Sequence, residues 1–173
     1  MSRVSRAQAR ENRRRVVEIA TRLFRERGVG NVSVADVMAG AGLTHGGFYK
    51  QFASKDALAA EALTQGLGEV GERLATVGGG SRTGFLDYYL SPDHRDSPGE
   101  GCPVAGFARD MPGTDLDLVA TYAAGVGSLA DKLGGTAAAS TAVGALILAR
   151  ATAGTELSDR ILKEALAALV SLP

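Results

Sequence analysis

Apolar residues recur at intervals of three and four along nearly the whole chain of 173 residues. This spacing places them on one face of an α-helix. The stripes are interrupted at glycines, first at Gly28, then at residues 40–42, and later at residues 78–80. No segment alternates apolar and polar residues as a half-buried strand does. The sequence therefore predicts an all-α fold of helices separated by short glycine-containing breaks.

Four helices are predicted in the first half of the chain. Residues 1–12 lack apolar spacing and are predicted to form a mobile basic arm, after which a helix runs to Gly28. Ser33 with Asp36 three residues later has the spacing of a capping box, which predicts the start of a short second helix. Thr44 is predicted to cap a third helix, and Ser54 a fourth that continues to about residue 77.

Charge is distributed unevenly along a chain whose formal net charge is zero. Residues 1–55 contain eleven basic and four acidic residues, a net charge of +7, and the remainder carries −7. A basic first third on an acidic body indicates a polyanionic partner for the first third only. A solvated arginine-rich helix face that binds nothing would have the same composition, so charge alone leaves both interpretations open.

The segment GLTHGGFYKQF, residues 42–52, contains two adjacent glycines within a predicted short helix. Glycine in a helix interior is destabilising by about 0.5–1 kcal/mol relative to alanine. Phe48 and Phe52 are four residues apart and should face inward. We therefore expect a large partner to come close to the backbone at Gly46 and Gly47.

Two short helices joined by a glycine-containing turn predict a helix-turn-helix, in which the second helix enters the major groove of DNA. Here the second helix would begin at His45. Without side chains at Gly46 and Gly47, its backbone could lie close to the DNA while His45 and Lys50 reach past the gap. Free N–H groups at the start of the helix also favour phosphate.

Residues 21–58, TRLFRERGVGNVSVADVMAGAGLTHGGFYKQFASKDAL, resemble the DNA-binding domain of the TetR family of bacterial transcriptional repressors. The resemblance rests on the order and spacing of several pieces: a glycine after the first helix, a hydroxyl-capped second helix, AGLT, GGFYKQF and SKDAL. It covers about the first third of the chain. It implies an N-terminal three-helix helix-turn-helix domain, residues 1–54, joined by a long helix to a helical ligand-binding and dimerisation domain, residues 55–173.

The family pattern implies roles for individual residues. Thr44 matches the cap of the recognition helix and a phosphate contact, and His45 and Gly46 match positions that face bases. Tyr49 matches a tyrosine that bonds the DNA backbone, and Lys55 a lysine that grips phosphate. The residues expected to contact DNA are Ser33, Thr44, His45, Gly46, Tyr49, Lys50 and Lys55.

Gln51 departs from the family pattern, in which histidine is common at that position, so the resemblance implies no phosphate contact there. Each residue of the expected DNA-binding set also has a structural alternative, namely an exposed or half-buried side chain with no partner. Arg13, Arg14 and Arg15 are expected to supply general electrostatic attraction.

The last two predicted helices indicate self-association. Residues 137–153 are apolar on nearly every face, and Ser158 is predicted to start a final amphipathic helix. A body of this size can hardly enclose such a helix alone, so we expect a homodimer through these two helices. A central core helix within one chain is the alternative.

The resemblance implies a small-molecule inducer of unknown identity, bound within the second domain. Apolar pockets with a few hydroxyls are typical of small-molecule sites. Plain core positions are an equal alternative for each candidate pocket residue: Phe85, Tyr89, Cys102, Phe107, Met111 and Tyr122.

Cys102 raises a second mechanism, because it lies between Gly101 and Pro103 at the predicted start of a helix. A helix N-terminus favours the thiolate, so a thiol-based sensor of oxidants or electrophiles acting through Cys102 is the alternative function. A small buried hydrophobic residue is the structural alternative for this cysteine.

The sequence offers no support for an enzyme. The two histidines lie in different segments, no Cys/His cluster has metal-ligand spacing, and no glycine-rich phosphate loop follows a strand. We therefore expect no cofactor and no metal. A single cysteine and the lack of a long apolar run predict a cytoplasmic protein without a membrane span.

The predicted partner is double-stranded operator DNA, bound by a repressor that its ligand releases. A DNA-binding architectural protein without a ligand is a further alternative. A cavity in the second domain would separate the two.

Overall fold

The computed structural model describes residues 6–171, apart from the side-chain surroundings of residues 74 and 78. Every regular element in this part of the chain is helical, which confirms the predicted all-α fold. The α-helices are α1, Arg6–Arg27; α2, Val34–Gly40; α3, Lys55–Thr76; α4, Arg82–Tyr89; α5, Pro92–Asp96; α6, Pro103–Phe107; α7, Leu116–Leu133; α8, Thr136–Ala151; and α9, Glu156–Val170. Short 3₁₀ helices span His45–Lys50, Val77–Gly80, Pro98–Glu100 and Ala108–Asp110.

Several predicted helix starts are confirmed by their caps. Ser33 and Asp36 form a complete capping box at the start of α2. Ser54 caps the start of α3, where its hydroxyl accepts a hydrogen bond from the Ala57 N–H. The helix ends at Thr76, one residue before the predicted end at Val77. These starts were predictable because a capping side chain acts within three residues of its own position.

Other predicted boundaries are wrong. The expected mobile arm at residues 1–12 is helical from Arg6 onward, and its first five residues lie outside the described part of the chain. The last helix is capped by Thr155, whereas Ser158 lies inside α9 and its buried hydroxyl donates to the Ala149 carbonyl at 2.7 Å. Ser158 thus joins α9 to α8 and does not start α9.

Two apolar clusters hold the helices together. The first contains the inward faces of α1 and α2, Phe48, Phe52 and the start of α3, and it also includes Phe107, Met111 and Leu118. The second is formed mainly by α4, α7, α8 and α9. Leu67 and Tyr122 pack against both clusters. Apolar packing therefore continues across residue 55, and the domain division at that residue stays a prediction.

No single helix among the described residues is both long and apolar enough to cross a membrane; α7 and α8 meet that test only together, across a bend of 104°.

Candidate nucleic-acid interface and ligand cavity

The turn between α2 and the 3₁₀ helix His45–Lys50 depends on a glycine. Gly42 has φ +69°, a left-handed conformation that side-chain-bearing residues rarely adopt. The Leu43 N–H then donates to the Met38 carbonyl at 2.8 Å, which closes the end of α2. This turn brings the second element of the helix-turn-helix into place against the first.

The His45–Lys50 segment, here called the recognition helix, is anchored by one of its own aromatic rings. Phe48 is fully buried and stacks on Phe52, with ring centroids 5.4 Å apart. Its hydrogen bonding is of the 3₁₀ type, so the segment is tighter than the α-helix that the Phe48 and Phe52 spacing predicts. Thr44 occupies the N-cap position, but its side chain makes no capping hydrogen bond, so the predicted side-chain cap is wrong.

The outer face of the recognition helix projects away from the core. His45, Tyr49 and Lys50 are exposed, and Tyr49 shows 67% of its surface. The rings of His45 and Tyr49 pack edge to face, with centroids 6.3 Å apart. The structure thus brings three of the predicted DNA-binding side chains to one surface beside Gly46.

The two glycines of the recognition helix are not required by the interior of the protein. A Cβ at Gly46 would meet nothing within 4 Å, and one at Gly47 would lie in ordinary contact, 3.5 Å from the Met38 methyl carbon. Neither residue has a positive φ. Close approach of an external partner therefore remains the explanation that we predicted for this pair of glycines.

Lys55 begins α3 and lies near Asp36 of α2, the first helix of the motif. Hydrogen bonds from Ser33 lower the pKa of the Asp36 carboxyl, and the charges of Arg27 and Lys55 lower it further. Lys55 is half-buried and Thr44 is exposed. Ser33 is exposed as well, but its hydroxyl donates to Asp36 at 2.6 Å, so the capping box already uses the one hydrogen that a phosphate would need.

The arginines of α1 are largely engaged within the protein. Arg13 forms a two-pronged ion pair with Glu61, and its guanidinium lies 4.4 Å from the centre of the Phe52 ring. Arg14 pairs with two glutamates of its own helix, and Arg15 donates to the Ala41 carbonyl at 3.3 Å. Part of the predicted positive field is therefore neutralised locally, because carboxylates lie beside Arg13 and Arg14.

A cavity of about 390 Å³ lies between α3 and α7. Its described lining is mostly apolar, with hydroxyls from both helices and a single lysine. The lining residues are Thr64, Leu67, Val70, Gly71, Cys102, Pro103, Val104, Thr121, Ala124, Gly125, Ser128, Leu129 and Lys132. This volume is within the range of about 300–1,000 Å³ typical of small-molecule sites.

Most of the predicted pocket residues lie elsewhere. Cys102 lines the cavity, and Phe85 lines a neighbouring groove of about 250 Å³. Phe107 and Met111 belong to the first apolar cluster, and Tyr89 to the second. Tyr122 is half-buried, and its hydroxyl donates to the Val104 carbonyl at 2.8 Å.

Apart from Lys132, the cavity residues that sequence reasoning missed are small or aliphatic. Leu67 and Val70 belong to the apolar stripe of α3, which is the only signal that could have indicated them. Gly125 lets the two helices pack closely, since a Cβ there would lie 2.7 Å from a Leu67 methyl carbon and the Leu67 side chain would have to shift. Large aromatic rings bury the most area and fill the cores, whereas short side chains leave space between helices.

Cys102 occupies the predicted position at the start of a helix, as the N-cap of α6. It is buried, and burial raises the pKa of its thiol, which is opposite to the effect expected for a reactive thiolate. The Tyr89 ring approaches it in the same buried region, and burial raises the pKa of that phenol as well.

Residues 91–101 have a composition that favours turns, but α5 and a 3₁₀ helix occupy this segment. His94 anchors this segment, although no sequence pattern had indicated such a role for it. Its Nδ1 lies 2.7 Å from the Tyr89 carbonyl, and its Nε2 accepts the Cys102 N–H at 3.0 Å. Arg150 on α8 donates to the carbonyls of His94 and Arg95, which ties the segment to the second cluster.

A second connection joins the first two helices to the body of the protein. The Asp110 carboxylate accepts the N–H groups of Val29 and Gly30, each at 2.9 Å. Gly28 has φ +82°, and a Cβ there would collide with the Arg109 guanidinium. Arg109 and Asp110 thus enclose the turn between α1 and α2, and we call this contact the Asp110 clasp.

Nothing in the described part of the chain groups three or more His, Cys, Asp or Glu side chains so as to hold a metal ion.

Comparison with known proteins finds sequence relatives for the N-terminal part of the chain. Residues 16–62 match the family model of bacterial regulatory proteins of the tetR family. The chain is 32% identical over 72 residues to the HTH-type transcriptional regulator AcrR of Shigella flexneri, which is 42% of this chain and 34% of that protein. It is 37% identical over 75 residues to the HTH-type transcriptional regulator TtgR of Pseudomonas putida, covering 43% of this chain and 35% of that protein.

The aligned segments span about a third of the length of these curated relatives. The fold, in contrast, is similar over nearly its full extent. A TetR transcriptional regulator from Chloroflexus aurantiacus superposes with a TM-score of 0.75 at 24% identity, over 95% of each chain. The predicted resemblance to the TetR family is confirmed, for the sequence of the first third and for the fold of the whole.

Proposed function

We propose that this protein is a sequence-specific DNA-binding transcription regulator, a repressor that a small-molecule ligand releases from its operator. Its N-terminal part matches the TetR family model, and its fold is similar to that of TetR-family regulators. The observation that carries this proposal is the outer face of the recognition helix, with His45, Tyr49 and Lys50 exposed beside an unobstructed Gly46. A surface of this kind fits the major groove, where side chains reach base edges while the backbone lies close.

The roles divide between phosphate and base contacts. Thr44, Tyr49 and Lys55 grip the DNA backbone, and His45 and Lys50 approach the bases past Gly46. Ser33 is the weakest member of the set, because its hydroxyl hydrogen is committed to Asp36. Phosphate contacts set affinity and register, and base contacts set sequence preference.

The regulator acts as a homodimer through α8 and α9. The outward face of α8 carries a stripe of mostly small residues, Ala137, Thr141, Gly144, Leu148 and Ala151, and a Cβ at Gly144 would meet nothing within 4 Å. A helix of another protomer can approach such a face closely. Two recognition helices related by a two-fold axis then read half-sites about 34–36 Å apart.

The ligand acts through α3, which begins at Lys55 and lines the cavity with Thr64, Leu67, Val70 and Gly71. These four residues lie on one face of the helix. A ligand that binds more tightly when α3 and α7 are differently spaced shifts the protein toward a conformation whose two recognition helices no longer fit the operator. The Asp110 clasp carries the movement of the body to the turn before α2.

The alternative of a thiol sensor has less support, because the Cys102 thiol is buried and its pKa is raised. We propose a regulator and not an enzyme, acting in the cytoplasm where its DNA is.

The experiment is capture and sequencing of the fragments that the protein retains from its own genome. We expect a small set of sites sharing a palindromic motif, and a Tyr49→Ala, Lys50→Ala double variant that retains none of them. Retention of random fragments, or the same set with the double variant, would contradict the proposal. The genes beside the retained sites would also indicate the chemistry of the ligand.

A further inference from the structure

The cavity between α3 and α7 has one charged end. Most of its wall is aliphatic, from Leu67, Val70, Val104 and Leu129. Lys132, in the last turn of α7, lines the cavity and also the adjoining groove, as does Gly71 on α3. The two hollows therefore meet at Gly71 and Lys132.

A second cation lies just beyond this junction. Arg82 lines the adjoining groove together with Lys132. Its guanidinium donates to the carbonyls of Leu133 and Leu169, at 2.9 and 3.0 Å, so it is held in position at the end of α7. Among the described residues that line either hollow there is no aspartate or glutamate.

The two threonine hydroxyls of the cavity do not supply donors for an anion, and Ser128 offers only a neutral hydroxyl. Thr64 donates to the Ala60 carbonyl at 2.8 Å, and Thr121 to the Asp117 carbonyl at 2.9 Å, each within its own helix. A hydroxyl whose hydrogen is used in this way can only accept. The strongest donor that the cavity offers a ligand is the Lys132 ammonium, which is exposed and has no hydrogen-bond or ion-pair partner within the described part of the chain.

We propose that the ligand is an amphipathic acid, whose apolar body fills the space between α3 and α7 and whose carboxylate binds Lys132 at the end shared with the Arg82 groove. The apolar wall supplies affinity through buried area, and the ammonium gives preference for the acid over neutral molecules of the same shape. This inference rests on the proposed function, since it names the chemical class of the molecule that releases the DNA.

Isothermal titration without DNA tests the proposal, using octanoate and octanol as probes at neutral pH. For the wild-type protein we expect octanoate to bind about fivefold more tightly than octanol, the effect of one partly solvated ion pair. Lys132→Gln should remove most of this preference while leaving the affinity for octanol unchanged. The matched control is Lys50→Gln, which removes the same charge from the recognition helix and should keep the wild-type preference.

Equal binding of the two probes by the wild-type protein would overturn the inference, as would a preference that persists in Lys132→Gln, or binding of neither probe. None of these three results would contradict DNA binding by the protein, because the capture of genomic fragments does not involve the ligand. Loss of fragment capture with the acid preference intact would instead contradict the DNA-binding function and keep the cavity as an acid site.

Discussion

His94 is a buried imidazole whose two nitrogens are both used. Its Nε2 accepts the Cys102 N–H, so the ring is neutral and its Nδ1–H donates to the Tyr89 carbonyl. Burial, assisted by the nearby charges of Arg150 and Arg73, lowers the pKa of His94 to about 4. Protonation would place a hydrogen where the Cys102 amide already donates, so acid should weaken the attachment of this segment.

This pKa predicts a pH dependence of stability. Between pH 6.5 and about 4 the unfolded chain binds a proton at residue 94 that the folded chain excludes, so the free energy of unfolding falls as the pH falls through that window. We expect the advantage of wild type over His94→Gln in urea unfolding to shrink by about 2 kcal/mol between pH 7.5 and pH 5. The control His45→Gln removes the exposed histidine and should retain the wild-type dependence; a constant difference between wild type and His94→Gln would contradict the prediction.

The network around His94 could not be predicted from the sequence. Residues 91–101 are rich in Ser, Pro, Asp and Gly, which favour turns. Burial of His94 depends on Cys102, eight residues later, and on Arg150 from α8, and neither neighbour is visible in local spacing. The helix starts at Ser33 and Ser54 were predictable for the opposite reason, because each cap involves only its next three residues.

At the scale of helices, α1 is held to the body by a close backbone contact and by the Asp110 clasp. A Cβ at Gly106 on α6 would lie 2.9 Å from the Arg25 Cα, so α6 packs directly against the backbone of α1. The Arg25 guanidinium also donates to the Gly101 carbonyl and pairs with Glu69 on α3. The glycine and phenylalanine residues that position the recognition helix could be recognised in the sequence. The attachments of α1 to the body could not, because they join residues far apart in the chain.

The Asp110 clasp makes a second prediction. Asp110→Ala removes the acceptor for the Val29 and Gly30 N–H groups, and hydrogen bonds to a charged acceptor are each worth about 1.5–3 kcal/mol. Because water can replace the bond at exposed Gly30, we expect a net loss of about 2 kcal/mol in unfolding free energy and faster amide exchange at Val29. Asp131→Asn, an exposed carboxylate on α7, is the control; unchanged exchange at Val29 in Asp110→Ala would show that the clasp does not hold the turn.

For the whole molecule, α8 and α9 expose apolar residues to solvent, and packing within one chain does not account for apolar residues at these positions. Leu148 is 57% exposed beside Gly144, while Leu157 and Val170 are partly exposed on α9. The sequence predicted a buried interface here from an all-round apolar stretch. The structure refines that expectation, because alanines such as Ala142 and Ala149 turn inward and leave a narrow outward stripe.

Leu148→Glu should therefore dissociate the dimer without unfolding the protomer, because it places a charge in the proposed two-fold interface but in solvent in the single chain. Light scattering at micromolar concentration should give twice the mass of the chain for wild type and the mass of one chain for the variant. Leu116→Glu makes the same change at an exposed position at the start of α7 and should stay dimeric. A wild-type monomer, or a Leu148→Glu dimer, would refute the assigned interface.

Binding of DNA by the outer face of the recognition helix is tested by the salt dependence of operator affinity, measured by fluorescence anisotropy. Each phosphate neutralised adds about −0.9 to the slope of log affinity against log salt. We expect a steep slope for wild type and weaker operator binding for Lys50→Gln. Lys163→Gln, which removes an exposed lysine of α9, should behave as wild type. Absence of binding at low salt, or identical titrations for wild type and Lys50→Gln, would contradict DNA binding by this face.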